Sequence, residues 1–143
     1  MVSMQTRVLK YSLITLGSTA TLVVAYLWWA LLSPHGYQAP DDLPPINPDI
    51  EHRVFVYGTL RQAWIRRLII GEHPPPEPAL LANHRREGLD VRPDTDAQVE
   101  GLVLQVEPAQ LARLDRYERL GIRYDRIEVM LADGSRAWIY QRR

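Results

Sequence analysis

The sequence predicts a small α+β domain built on one curled sheet, carried behind one transmembrane helix and a proline-rich linker. Three observations predict it. Residues Tyr11 to Leu32 run for 22 positions without a charge, and five prolines follow within the 20 residues from Ser33 to His52. The rest of the chain changes hydrophobic period in the order β-α-β-β-α-β-β. At 143 residues and 46% hydrophobic content, the chain has room for one such core.

As a helix, the apolar run YSLITLGSTATLVVAYLWWALL spans about 33 Å at roughly 1.5 Å per residue, close to a hydrocarbon core of about 30 Å. Tyr26, Trp28 and Trp29 near its far end suit an interfacial aromatic belt. A buried core helix of this length would need a larger domain around it. A cleaved signal peptide would normally have a shorter apolar region, and Ala30-Leu31-Leu32-Ser33-Pro34 is a poor small-x-small cleavage site. The lipid bilayer is therefore the expected partner of residues 11–32. Arg7 and Lys10 precede the run, whereas Asp41, Asp42, Asp49 and Glu51 come before the first arginine beyond it, Arg53. The positive-inside rule then predicts residues 1–10 in the cytoplasm and the C-terminal domain exported, periplasmic or extracellular.

Pro34, Pro40, Pro44, Pro45 and Pro48 stiffen residues 33–52 into a semi-extended linker with little to bury. The folded unit is expected over residues 53–143. Val54-Phe55-Val56-Tyr57 reads as a buried strand ended by Gly58. Gln62 to Ile70 reads as a short helix with Trp64, Leu68 and Ile65 on its apolar face. His73 to Pro78 is a loop, because its prolines suit neither a helix nor a central strand. Ala79 to His84 and Gln98 to Val106 read as strands. Pro108 to Glu118 is a helix with proline in its first turn, where the missing N–H costs nothing. Arg126 to Leu131 and Ala137 to Tyr140 are strands joined through the turn pair Asp133-Gly134.

Composition excludes several functions. Seventeen basic and 17 acidic residues cancel, so no basic excess exists to drive nucleic-acid binding by counterion release. The absence of cysteine removes thiolate nucleophiles, thiolate zinc sites and iron–sulfur clusters. Ser3, Ser12, Ser18, Ser33 and Ser135 fall in the tail, anchor, linker or a turn, and no G-x-S-x-G motif occurs. His35, His52, His73 and His84 show no metal-ligand spacing, and Glu72-His73 with Glu77 reads as a surface loop. No phosphate-cradling glycine loop is present. The sequence therefore calls for no metal and no cofactor.

Two features stand out. In Tyr57-Gly58-Thr59-Leu60-Arg61 a strand meets a glycine that lets the backbone approach a ligand closely. Thr59 can then cap the following helix, whose first N–H groups suit a small carboxylate. A plain strand–turn–helix junction would read the same way. The second feature is Glu118, which shares a helical stripe with Leu111 and Leu114. A carboxylate in a leucine's place needs a function, or a partner such as Arg123 or Arg126.

Together these motifs resemble the gamma-glutamylcyclotransferase-like superfamily. Val54 to Arg61 is similar to its opening motif. Val99-Glu100-Gly101 (opening a strand), Leu114-Asp115-Arg116-Tyr117-Glu118, Tyr124-Asp125-Arg126 and Ala137-Trp138-Ile139-Tyr140 follow in the family's order, covering Arg53 to Gln141. The resemblance implies a small mixed β-barrel with flanking short helices and a pocket for a small gamma-glutamyl substrate. Tyr57, Gly58, Thr59, Leu60 and Tyr124 would hold that substrate, and Glu118 would act as acid/base. The implied reaction is intramolecular attack of the α-amine on the γ-amide, releasing 5-oxoproline and an amine or amino acid. Arg119 stands where the family often has glycine, which favours the alternative of a non-catalytic, membrane-tethered binding module that keeps the pocket. No protein partner is indicated.

Overall fold

The computed structural model describes residues 4–31, 33 and 35–143. The chain divides into two compact units, Met1–Tyr37 and Gln38–Arg143. In the first, helix α1 covers Met4–Leu31 and so begins ahead of the expected apolar run. Leu32, at the end of the expected span, and Pro34, in the linker, lie outside the described residues. Within Met4–Ala30 of α1, the most apolar 18-residue window has a mean hydropathy of 1.5, with no part of that window buried. This helix is long and apolar enough to cross a membrane. The hydroxyls of Thr15, Thr19 and Thr21 donate to the carbonyls four residues back at 2.9–3.0 Å. Such bonds satisfy polar side chains without any outside partner.

The second unit holds five strands: β1 (His52–Val56), β2 (Glu77–Glu87), β3 (Asp90–Val106), β4 (Tyr124–Met130) and β5 (Arg136–Arg142). They form one half-barrel sheet in the order β2-β3-β1-β5-β4, in which β1 runs parallel to β5 and the other neighbours are antiparallel. The continuous apolar run of β1 suits its central place, since it is covered on both faces. Phe55, Leu81, Val91, Val103, Leu131 and Ile139 pack together as the core. Gly101 in β3 is required by this packing. A Cβ there would come within 2.5 Å of both the Phe55 ring and the Val56 carbonyl.

Two helices border the sheet. Helix α2 (Ala63–Ile70) follows a single 3-10 turn at Thr59–Arg61, and Gly71 at φ +75 ends it. Helix α3 (Pro108–Glu118) starts from a reciprocal cap between Glu107 and Gln110, with proline in its first turn. The Gln110 amide also donates to the carbonyls of Ile70 and Glu72, tying α3 to the end of α2.

The structure corrects three local expectations. Trp64 and Leu68 do not face the core but are 65% and 58% exposed, while Arg66, Ile69 and Ile70 are buried. The reason is Arg66, whose Nη1 donates to the Leu60 and Arg61 carbonyls at 2.8 and 2.6 Å and so turns its face of α2 inward. The strands β2 and β3 are also longer than the pattern suggested. They pair as a hairpin around Gly88-Leu89, so β2 takes in Glu77 and Pro78, and Val99-Glu100-Gly101 lies inside β3 instead of opening it. Pro78 is tolerated because β2 is the sheet's edge. Finally, the linker region is partly folded: Pro40, Leu43 and Pro44 are half-buried within the second unit.

Candidate active site

At the end of β1 the chain leaves the sheet through Tyr57 and Gly58 and enters the 3-10 turn. The turn's own bonds, Arg61 N to Gly58 O and Gln62 N to Thr59 O, use the amides of Arg61 and Gln62. The amides of Thr59 and Leu60 precede any intrahelical partner. Arg66 clamps the carbonyls of Leu60 and Arg61 from behind. Thr59 does not cap α2 as the sequence suggested. The residue before that helix is Gln62, which makes no side-chain cap bond, and the Thr59 hydroxyl lies 3.4 Å from the Tyr117 hydroxyl. Gly58 sits at φ −108, and a Cβ there would meet no protein atom within 4 Å. The space beside it belongs to the cavity, not to a packed neighbour.

That cavity measures about 70 Å³. Phe55, Val56, Tyr57, Gly58, Thr59 and Leu60 form one side, and Glu118, Tyr124 and Tyr140 face them from α3, β4 and β5. Leu89, at the tip of the β2–β3 hairpin and 58% exposed, stands at the mouth. All six residues singled out in the sequence (Tyr57, Gly58, Thr59, Leu60, Glu118 and Tyr124) therefore line one space. Leu89 and Tyr140 complete it without having been expected there.

Burial raises the Glu118 carboxyl to about 7. Neither expected arginine pairs with it. Arg126 turns instead to Asp115, with Nε 3.2 Å from Oδ1. Asp115 is 7% exposed and accepts a hydrogen bond from the Tyr140 hydroxyl at 2.6 Å. The Tyr140 carbonyl in turn accepts the Tyr57 hydroxyl at 2.6 Å. Burial, Asp90 and Glu118 push the Tyr57 phenol above its ordinary value, and burial and Glu118 raise that of Tyr124. Both phenols stay protonated at neutral pH. Asp90 is fixed by the Arg142 amide at 3.0 Å and by Arg92 at 3.0 Å.

The buried Asp115 was legible in part. With Leu111, Leu114 and Glu118 it completes the spacing i, i+3, i+4, i+7 that defines a helix face, but its partner on β4 is not a pattern in the chain. Arg119, the residue after Glu118, takes the left-handed conformation at φ +51 as the cap of α3. That geometry ordinarily selects glycine, so the arginine replaces a glycine on backbone grounds and keeps the same turn.

The geometry can do proton chemistry near neutral pH, because a carboxyl titrating at about 7 both accepts and returns a proton there. Among the described residues, no cluster of three or more histidine, aspartate or glutamate side chains could hold a metal ion.

Comparison with known proteins bears on the fold and the family. The solution structures of two Arabidopsis thaliana proteins are similar to the chain. The first is 26% identical with a TM-score of 0.55, over 64% of this chain and 68% of that one. The second is also 26% identical with a TM-score of 0.53, over 69% of this chain and 66% of that one. No curated protein matches the chain. The family model described as gamma-glutamyl cyclotransferase, AIG2-like, matches residues 54–143, the whole segment that builds the sheet and the cavity. The chain belongs to the gamma-glutamyl cyclotransferase, AIG2-like family.

Proposed function

We propose that this chain is a membrane-anchored cyclotransferase that converts a gamma-glutamyl compound into 5-oxoproline and a free amine or amino acid. The observation that carries the reading is Glu118. It is a carboxyl raised to about 7, in a cavity whose opposite side is the loop from Tyr57 to Leu60.

The substrate supplies its own nucleophile, so the protein needs neither cysteine nor serine. The backbone amides of Gly58 to Leu60 hold the α-carboxylate or polarise the γ-carbonyl oxygen. Tyr57 and Tyr124, as neutral phenols, border the folded substrate. Glu118 takes a proton from the α-ammonium, and the freed amine attacks the γ-carbonyl carbon to form the ring C–N bond. Glu118 returns the proton to the departing nitrogen as the original amide C–N bond breaks, and then relays the second proton that the ring nitrogen loses, so that the product leaves as an ammonium. Holding the chain in its folded form supplies several kcal/mol through proximity, and the proton shuttle contributes about 10²–10⁴-fold. The chemistry needs no metal or cofactor.

Residues 11–32 anchor the domain in the bilayer, with the N-terminus in the cytoplasm. Arg7 and Lys10 before the span support that orientation, and a reporter active only after export, fused behind Arg143, should be active. A silent reporter would reverse the topology. The reaction is tested by incubating the full chain in detergent micelles with a panel of gamma-glutamyl amines and gamma-glutamyl amino acids. Release of 5-oxoproline from at least one is expected. Binding without turnover across the panel would point to the non-catalytic module instead.

A further inference from the structure

We propose that residues 40–44 form a strap that is part of the catalytic domain and positions Glu118 and Tyr124 through Arg126, Asp115 and Gly121. The proposal takes the role of Glu118 from the functional reading above and adds what holds it in place.

Two separate contacts join the strap to the site. The first runs through Arg126 on β4, which is buried. Its Nη2 donates to the Pro44 carbonyl at 2.6 Å, and its Nε faces Asp115 Oδ1 at 3.2 Å. The Trp138 ring packs 4.7 Å from its Cζ. One guanidinium thus links the strap to α3 and to β5. Asp115 lies one turn before Glu118, and its backbone carbonyl accepts the Leu120 amide at 2.9 Å, closing the turn around Glu118. Its side chain also holds Tyr140, whose carbonyl holds Tyr57, and both tyrosines line the cavity.

The second contact is at Gly121. Pro40 and Leu43 lie so close to it that a Cβ would come within 2.7 Å of Leu43 Cδ2 and 2.9 Å of Pro40 Cγ. The Gly121 amide donates to the Tyr124 carbonyl at 2.8 Å, and Tyr124 lines the cavity. The strap therefore bears on the segment 118–126, which carries Glu118 and Tyr124, within it at Gly121 and at its far end at Arg126.

The physical reason for a strap is the buried guanidinium. Asp115 matches one edge of it, and the Pro44 carbonyl matches another. Proline at positions 44 and 45 restricts the backbone there and presents that carbonyl from a stiff segment. With the strap lifted, water reaches Arg126 and competes for it, and the Arg126–Asp115 hold on the last turn of α3 loosens. Asp115 and Arg126 are positioning residues here, since neither lines the cavity.

The test uses the full chain in detergent micelles and three variants. Pro40→Gly with Leu43→Ser frees the strap without altering a cavity residue. Arg126→Lys keeps the charge but cannot reach Pro44 and Asp115 together. Asp41→Ser with Asp42→Ser changes only exposed side chains of the same segment. Two quantities are read: kcat and KM for 5-oxoproline release, and the titration of the Glu118 carboxyl by carbon NMR. The groups around Glu118 are Tyr57, Tyr124 and Tyr140, whose phenols stay protonated over that range, and the charged side chains of Asp90, Arg86, Arg123 and Arg142, which act on the Tyr57 and Tyr124 phenols. In the strap and Arg126 variants, kcat should fall about 10–100-fold with KM within a few-fold, and the Glu118 titration should move toward the ordinary carboxylate range. The Asp41/Asp42 variant should match the parent. Unchanged kcat and titration in a strap variant whose residues 40–44 have become accessible to protease would overturn the proposal. If the strap variant does not fold, Arg126→Lys decides by the same two readouts. If the parent chain releases no 5-oxoproline from any compound, the functional reading falls. The NMR titration then judges the strap alone, a shift supporting it and constancy refuting it.

Discussion

Asp115 and Glu118 stand one helical turn apart on α3, and their surroundings divide the labour of the site. Burial raises both carboxyls. Asp115 accepts a hydrogen bond from the Tyr140 hydroxyl at 2.6 Å and lies 3.2 Å from the charged Arg126 Nε, and both partly offset that rise. Glu118 faces the cavity, and burial is what moves it, to about 7. A buried acid matched by fixed donors holds parts of the fold together. A buried acid facing open space keeps its lone pairs for a ligand and titrates where a proton can be exchanged at neutral pH.

The largest effect that separates the two acids should be on turnover. Glu118→Gln keeps the side chain's size but cannot exchange a proton, so turnover should fall by roughly two to four orders of magnitude, with the melting temperature preserved or raised. Melt and turnover measured on one sample decide the matter. A lowered melt would mean that Glu118 holds structure as Asp115 does.

Asp115→Ala should show the opposite balance. It strands the Arg126 guanidinium and the Tyr140 hydroxyl in the interior, at a cost on the order of 3–5 kcal/mol in stability. Chemical denaturation of the two variants side by side reads this. A loss under 1 kcal/mol would mean that the Asp115 network is solvated and exerts no hold.

The two acids also differ in how pH reaches them. The Glu118 pKa is raised in the folded state, from 4.5 to about 7. The folded protein therefore binds its proton more tightly, and the stability linked to it is full below about pH 4.5 and lost as pH rises through 7. Glu118→Gln should then exceed the parent in stability by about 2 kcal/mol at pH 8, after discounting for partial exposure, and by nothing at pH 4. An advantage that does not change with pH would contradict the raised value.

The smallest effect lies at the helix end. Arg119 holds φ +51 with an ordinary side chain, so Arg119→Gly should stabilise the domain by about 1 kcal/mol. Thermal melts would show it as a rise of a few degrees, and a fall would mean that the Arg119 side chain has contacts of its own worth more than the backbone strain.

How much of this was readable from the chain differs by region. Much of the cavity wall was legible because it comes from two short contiguous stretches, Tyr57 to Leu60 and the end of α3, each of which interrupts the local hydrophobic pattern. The inner strands were legible because β1, the C-terminal part of β3 and the middle of β5 are largely apolar and buried. The outer half of the β2–β3 hairpin was not. Residues 85–97 are largely charged or polar, and only Asp90 and Val91 among them are buried, so no alternation marks a strand, and Leu89 at the cavity mouth went unseen with it. The face of α2 was misread because Arg66 is held inside by main-chain carbonyls, an arrangement that hydrophobicity alone cannot signal. The fold of residues 40–44 onto Arg126 and Gly121 joins positions about 80 apart in sequence, a long-range contact that composition reads only as a linker.

The pH dependence of kcat/KM in the parent chain tests the central claim most directly, because it reports the protonation state of the free enzyme's essential acid or base. If Glu118 moves the proton, kcat/KM should rise about tenfold per pH unit from acid pH, bend near 7 where burial places its carboxyl, and level off above. A limb that bends near the ordinary carboxylate value, or that survives unchanged in Glu118→Gln, would contradict the account.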